Sequence, residues 1–196
     1  MKALLLTSEK ASNKDFVKEI LEISSEVLIH YGEFSTEFIK ENSISAILSD
    51  RNGYLIPDEI VNVLHGRVYN THPSLLPLHR GWQPVFFSVL ENSPIGVSIH
   101  QVNSGLDKGL LVAQEQVKVS LDDDLKTIHT KCRLTILKLL LENWPSMLRG
   151  TAPLLDQTGY GCYHKKTEFE YYFRNLKSGW SSTQAEVRTL RKTRDS

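Results

Sequence analysis

The first seventy residues alternate short apolar runs with segments of helical period, and this alternation limits the fold more than any other feature. Residues 2–7 (KALLLT), 26–30 (EVLIH), 44–49 (ISAILS) and 67–70 (RVYN) read as strands. Between the first two, residues 14–23 set Phe16, Val17, Ile20 and Leu21 at helical spacing. Residues 35–41 follow with Ser35 at the N-cap position and Phe38 and Ile39 facing inward. Residues 57–64 open on Pro57, near the first helical turn, where a missing N–H costs nothing. Strands and helices alternating this closely predict an α/β fold: a Rossmann-like, mostly parallel twisted sheet with helices on both faces.

The pattern then changes. Residues 84–91 read as a short helix, and 96–102 and 111–119 as two strands joined through glycines, which predicts an antiparallel edge. Residues 122–148 form the longest predicted helix, with Leu125, Ile128, Cys132, Ile136, Leu139 and Leu140 at i, i+3 and i+4. Asp122, Asp123 and Asp124 stand at its start and read as capping and dipole compensation rather than as metal ligands. From Gly150 onward the chain is read as loop-rich and aromatic, so the expected organisation is one domain over 1–150 and a short tail over 151–196. The tail aromatics call for burial against the core or against a second subunit, and a homodimer stays open on this ground.

Composition excludes several classes. Lys and Arg number 23 and Asp and Glu 23, so the net charge is zero, against the basic excess of an obligate nucleic-acid binder. No apolar run approaches the ~20 residues of a membrane helix, and the N-terminus lacks a small-residue cleavage site. Cys132 and Cys162 lack a second Cys or His at zinc-finger spacing and read as reduced thiols. A cytoplasmic protein with no membrane or nucleic-acid partner is expected.

The chemistry concentrates in Asn70-Thr71-His72-Pro73-Ser74-Leu75-Leu76-Pro77, which begins where a predicted strand ends, the place where open α/β sheets bind ligands. In extended backbone Asn70 and His72 leave the same face, so an amide and an imidazole stand side by side. A second polar cluster, Ser104-Gly105-Leu106-Asp107-Lys108-Gly109, lies between the two later strands. If Asp107 approached His72, the result would be a proton-handling site. The alternative is a turn Asp bonding its own backbone.

These two stretches, with Gly96-Val97-Ser98-Ile99-His100 between them, resemble in order and spacing the formyltransferase family that uses 10-formyltetrahydrofolate. The likeness covers roughly residues 44 to 145. It implies that Asn70, His72 and Asp107 are the catalytic trio, acting on a formyl carbon that an amine attacks directly. It also implies that 49–57 lines the folate pocket, with Tyr54, Leu55 and Ile56 as cofactor residues. Core packing is the competing reading of Leu55 and Ile56. Asn103, Gly105 and Leu106 would close the pocket's other side. Arg80, Trp82 and Gln83, after the SLLP loop, are candidates to grip the acceptor, with an ordinary exposed loop as the alternative. No metal is called for: His72, His79 and His100 lack a suitable carboxylate partner. His100 reads as structural or supporting rather than as a direct catalyst.

Departures from the family's subgroups narrow the acceptor. Residues 7–13 hold no glycine and make a poor phosphate cradle, which disfavours glycinamide ribonucleotide. Methionyl-tRNA formyltransferases carry a further C-terminal β-domain, for which the residues after Gly150 are too few. Formyltetrahydrofolate hydrolase carries an N-terminal regulatory domain. The tail Gly159-Tyr160-Gly161-Cys162-Tyr163-His164-Lys165-Lys166, with Leu176-x-x-Gly179-Trp180, is similar to C-terminal segments of the sugar N-formyltransferases. The expected activity is formyl transfer to the amine of a nucleotide-linked deoxyamino sugar in surface-glycan synthesis. A hydrolase of the same cofactor, another small amine as acceptor, and a non-catalytic folate-binding protein are the alternatives.

Overall fold

The runs KALLLT and ISAILS are apolar at nearly every position rather than at alternate ones, as strands covered on both faces are. In the structure, a computed structural model that describes residues 1–9, 14–23 and 26–192, they become β1 (Lys2–Thr7) and β3 (Ile44–Ser49), buried at almost every position. Both pair in parallel with their neighbours. Leu4 of β1 lies beside Leu28 of β2 (Val27–Tyr31) and Ile47 of β3, and Ser49 lies beside Asn70 of β4 (Val68–His72). β2 is only half-buried, as the outermost strand of the sheet should be.

The full sheet runs β2-β1-β3-β4-β6-β7, with β6 spanning Gly96–Gln101 and β7 Leu111–Gln116. The Val102 N–H bonds the Val68 carbonyl, and the Asn70 side chain meets that of His100, so β6 runs against β4. Gln101 N–H bonds the Leu110 carbonyl while Val117 N–H bonds that of Ile95, so β7 runs against β6. The expected parallel core with an antiparallel edge is what forms.

Helices fill the predicted places: α1 (Lys14–Ile23), α2 (Thr36–Glu41), α3 (Asp58–Val63), α4 (Pro84–Leu90) and α5 (Leu125–Arg149). Ser35 caps α2 by accepting the Phe38 N–H at 3.3 Å. At the start of α5, Asp124 accepts the Thr127 N–H at 2.7 Å, and Asp123 accepts that of Ser120 at 2.7 Å and pairs with Lys131. These bonds hold both carboxyls below their ordinary range. The aspartate run is therefore a cap, as expected. No helix among the described residues is long and apolar enough to cross a membrane.

The backbone falls into two compact units: residues 1–71, 99–113 and 137–157, and residues 72–98, 114–136 and 158–196. The first carries a core of Leu4, Leu6, Ile39, Ile44, Ile47, Ile60, Leu64 and Val68, all nearly inaccessible. Each such side chain contributes about 1.5–3 kcal/mol of transfer free energy. The second is built around α4, buried along its whole length, and around Leu125, Ile128, Cys132 and Ile136 of α5.

The tail differs from its loop-rich expectation. Residues 151–192 form β8 (Tyr163–His164), α6 (Lys166–Phe173), a 3-10 turn (Gly179–Ser181) and α7 (Gln184–Lys192). The reason is packing. Phe169 and Phe173 of α6 stack at 4.7 Å, Phe86 of α4 meets Phe169 edge-on at 5.2 Å, and Trp180 stacks on Phe169 at 5.8 Å. Aromatics spaced along the sequence become one cluster within the second unit, while Tyr160, Tyr163 and Tyr171 remain exposed. β8 pairs in parallel with β5 (Arg80–Gly81), a two-residue strand no periodicity could have revealed. Residues 10–13 of the glycine-free segment, and residues 193–196, lie outside the described residues.

Candidate active site

In the first unit, β4 carries Asn70, β6 carries His100, and the loop between β6 and β7 carries Asp107. The antiparallel register of β4 and β6 sets Asn70 opposite His100. The Asn70 amide nitrogen lies 3.2 Å from His100 Nε2 and 3.4 Å from Asp107 Oδ1. His100 Nε2 and Asp107 Oδ1 are 3.5 Å apart. His100 Nδ1 sits 2.7 Å from the Gln101 carbonyl, which only accepts, so Nδ1 carries the ring proton and Nε2 presents its lone pair. One primary amide thus faces two proton acceptors with its two N–H bonds. His100 and Asp107 are both buried, which strengthens every charge interaction among them.

The loop is fastened to deliver Asp107. Gln157 Nε2 donates to the carbonyls of Asp107 and Gly109, each at 2.8 Å. A Cβ on Gly109 would lie 1.8 Å from the Gln101 carbonyl oxygen, so only glycine lets the loop press against β6. Asp107 itself adopts φ of 52°, a left-handed conformation that Asp tolerates better than most residues. Asn103 Oδ1 accepts the Gly105 N–H at 3.0 Å, and Leu106 is exposed.

The segment expected to line a folate pocket splits by side chain. Tyr54 is half-exposed and Leu55 is 86% exposed, whereas Ile56 packs against the hydrophobic core. Core packing therefore holds for Ile56 and fails for Leu55. Asn52 braces the Tyr54 backbone by accepting its N–H at 3.1 Å and donating to its carbonyl at 2.6 Å.

The second unit carries His72 and the loop after it. His72 is buried and donates from Nε2 to the His79 carbonyl at 2.9 Å. The SLLP loop is riveted by Ser98: its hydroxyl donates to the Ser74 carbonyl at 2.7 Å and accepts the Leu76 N–H at 3.1 Å. Gln114 Nε2 donates to the same hydroxyl and to the Leu76 carbonyl, each at 2.9 Å. Trp82 is 41% exposed with Lys166 Nζ 5.6 Å from its ring centre, and Arg80 is half-buried. Gln83 sits in left-handed conformation at the N-cap of α4, where its side chain makes no cap bond.

Comparison with known proteins places this arrangement. Residues 33–142, more than half the chain, match the family described as formyl transferase. The chain belongs to the formyl transferase family. Among its relatives, the methionyl-tRNA formyltransferase of Wolbachia sp. subsp. Drosophila simulans is 35% identical over 117 residues, 59% of this chain and 39% of that protein. The chain thus spans about two-fifths of the length of that curated relative. A solved structure of the formyltransferase PseJ from Anoxybacillus kamchatkensis, in complex with UDP-4,6-dideoxy-4-formamido-L-AltNAc and tetrahydrofolate, superposes with a TM-score of 0.82 at 31% identity. That likeness covers 97% of this chain and 100% of the other. A 4-N formyltransferase from Francisella tularensis shares the fold, with a TM-score of 0.75 at 19% identity over 95% of this chain and 86% of that one.

Within this family chain, the sequence reading found Asn70 and Asp107, which the structure brings together. It reads His100 as structural or supporting, and the structure sets that imidazole beside both. The signal was there: an alternating strand whose histidine precedes a loop returning through a Gly-Leu-Asp-x-Gly turn. Only the antiparallel register of β4 and β6, which sequence does not fix, makes His100 the residue opposite Asn70.

Proposed function

We propose that the protein is an N-formyltransferase that moves the formyl group of 10-formyltetrahydrofolate to the primary amine of a nucleotide-linked deoxyamino sugar. The observation that carries this reading is the end-to-end likeness to the PseJ formyltransferase structure, which holds a UDP-linked formamido sugar and tetrahydrofolate. The methionyl-tRNA formyltransferases match this chain over only part of their length. The reading carries with it a cytoplasmic enzyme of surface-glycan assembly.

The chemistry suits the side chains. The amine nitrogen attacks the formyl carbon, the carbonyl pair moves to oxygen, and a tetrahedral intermediate forms. Asn70 is the donor for the oxyanion, exchanging a bond to His100 or Asp107 for one to the reacting oxygen. The new ammonium must lose a proton while the folate nitrogen gains one as it leaves. Asp107 and His100 are acceptors for the first transfer, and His72 is the group assigned to the second. Tyr54, Leu55, Asn103, Gly105 and Leu106 are assigned to the folate, and Arg80, Trp82 and Gln83 to the sugar nucleotide.

The test is release of tetrahydrofolate from 10-formyltetrahydrofolate, with UDP-4-amino-4,6-dideoxy-L-AltNAc as first acceptor. Release that depends on the amino sugar supports the proposal. Release without amine makes the protein a hydrolase, binding without release makes it a folate-binding protein, and formylation of methionyl-tRNA instead of the sugar overturns the acceptor.

A further inference from the structure

The second unit holds a cluster of ligating side chains that formyl transfer does not use. His79, Glu91, Cys162 and His164 each point one ligand atom inward, and these atoms all lie within 4.8 Å of one another. His79 Nδ1 is 3.0 Å from His164 Nε2 and 3.5 Å from Cys162 Sγ. Glu91 Oε1 is 3.5 Å from His164 Nε2, and its Oε2 is 4.0 Å from His79 Nδ1. A tetrahedral zinc ion with ligands at ~2.0–2.3 Å separates neighbouring ligand atoms by about 3.3–3.7 Å, which falls within these spacings.

The outer partners fix which nitrogens face inward. Ser93 Oγ backs His79 from the other side, 2.6 Å from Nε2. Glu168 lies 3.2 Å from His164 Nδ1, and a carboxylate only accepts, so that nitrogen is protonated and Nε2 presents its lone pair. Two imidazole nitrogens, a carboxylate and a sulfur thus converge on one point, a donor set that a cation can satisfy. A carboxylate or hydroxyl orienting each ligating imidazole from behind is how zinc sites are built.

The backbone holds the ligands independently of any ion. β5 and β8 pair Arg80 with Tyr163 and Gly81 with His164, the Arg80 N–H bonds the Cys162 carbonyl at 2.9 Å, and the His79 N–H bonds Cys162 Sγ at 3.0 Å. A Cβ on Gly81 would lie 2.5 Å from the Tyr163 ring, so glycine is what lets the strands close.

We infer that His79, Glu91, Cys162 and His164 form a structural zinc site. Four protein ligands leave no open position, so the ion ties the SLLP loop to the tail rather than entering the reaction. On binding, the Cys162 thiol loses its proton to solvent and sulfur ligates as thiolate. His79 also holds His72 through its carbonyl, so the ion would steady that imidazole as well.

The test is titration of untagged, chelator-treated full-length protein with Zn2+ and, for its visible spectrum, Co2+. One equivalent should bind, with a thiolate-to-cobalt charge-transfer band and a rise in Tm. Cys162→Ser should lose the band, while Cys132→Ala should keep it. Glu168→Gln, which leaves all four ligands in place, should weaken binding by about 10–100-fold. Failure of the folded wild-type chain to bind one equivalent overturns the site, as does a thiolate band that persists in Cys162→Ser. An affinity unchanged in Glu168→Gln and in Glu91→Gln together does the same. None of these readouts depends on formyl transfer.

Discussion

Gly109→Ala should separate the delivery of Asp107 from its chemistry. The added methyl would sit 1.8 Å from the Gln101 carbonyl oxygen and 2.6 Å from its carbon, both backbone atoms that cannot rotate away. Ordinary carbon–oxygen contact needs about 3.4–3.5 Å, so the loop must retreat from β6 by more than ~1 Å. Asp107 lies two residues away, and Gln157 bonds the carbonyls of both Asp107 and Gly109. The retreat therefore takes the carboxylate off Asn70, whose 3.4 Å contact is already at the outer limit of a hydrogen bond. A misplacement of ~1 Å at a reacting centre costs about 10²-fold in rate. Overpacking adds about 1–3 kcal/mol of destabilisation, and at this chain length each kcal/mol lowers Tm by about 2–4 °C. The assay is kcat for formyl transfer beside a thermal melt. A folded Gly109→Ala protein with wild-type kcat would refute the reasoning, because it would show that Asp107 works without the close approach.

Other substitutions test single links. Asn70→Ala should lower kcat at least ~10²-fold, as loss of an oxyanion donor does, and a change confined to KM in steady-state assays would contradict the role. His72→Ala and Asp107→Ala should each abolish transfer in protein that still folds, and activity retained in either would remove it from the trio. Ser98→Ala should cost about 1–3 kcal/mol in urea unfolding, because the Leu76 N–H it caps is buried and left without that acceptor. Asp124→Ala should cost about 1 kcal/mol through loss of the α5 cap. Hydrogen bonds from Thr127 lower that carboxyl from its ordinary 3.8. Its stabilisation is thus present above that value and lost as pH falls through the folded-state pKa, so the Tm gap between wild type and Asp124→Ala should close at acid pH.

What could be read from the chain, and what could not, divides on a physical line. β1 and β3 were legible because a strand covered on both faces must be apolar throughout. α5 was legible because Leu125, Ile128, Cys132, Ile136, Leu139 and Leu140 are the residues it buries. The two polar motifs were legible because Asn, His and Asp cannot be spared inside a fold without partners. Pairings between distant segments were not. Nothing in Arg80–Gly81 or Tyr163–His164 marks a strand, since two residues have no period. Helix α6 reads as loop in the sequence because its aromatics carry weak helix propensity, and contact with Phe86 and Trp180 repays the helical order. The place of His100 opposite Asn70 is not legible for the same reason: it comes from the register of β6 on β4.

That register also explains why the acid of the site rides on a loop. β6 runs against β4, so Val102 stands opposite Val68 as the chain leaves the sheet, one strand-repeat away from Asn70. To bring a carboxylate back to Asn70, the connection must double over and return along β6. The left-handed turn at Asp107 and the bare backbone of Gly109 accomplish this. The amide donor and His100 consequently stand on sheet strands, whereas the backbone that carries the carboxylate is held by Gln157 and by the bare backbone of Gly109. Residues 103–106 lead into that turn, where Asn103 Oδ1 accepts the Gly105 N–H and the Gly105 carbonyl accepts the Lys108 N–H, while any insertion between Asp107 and Gly109 moves the acid. A donor fixed by the sheet thus stands beside an acid held by separable contacts.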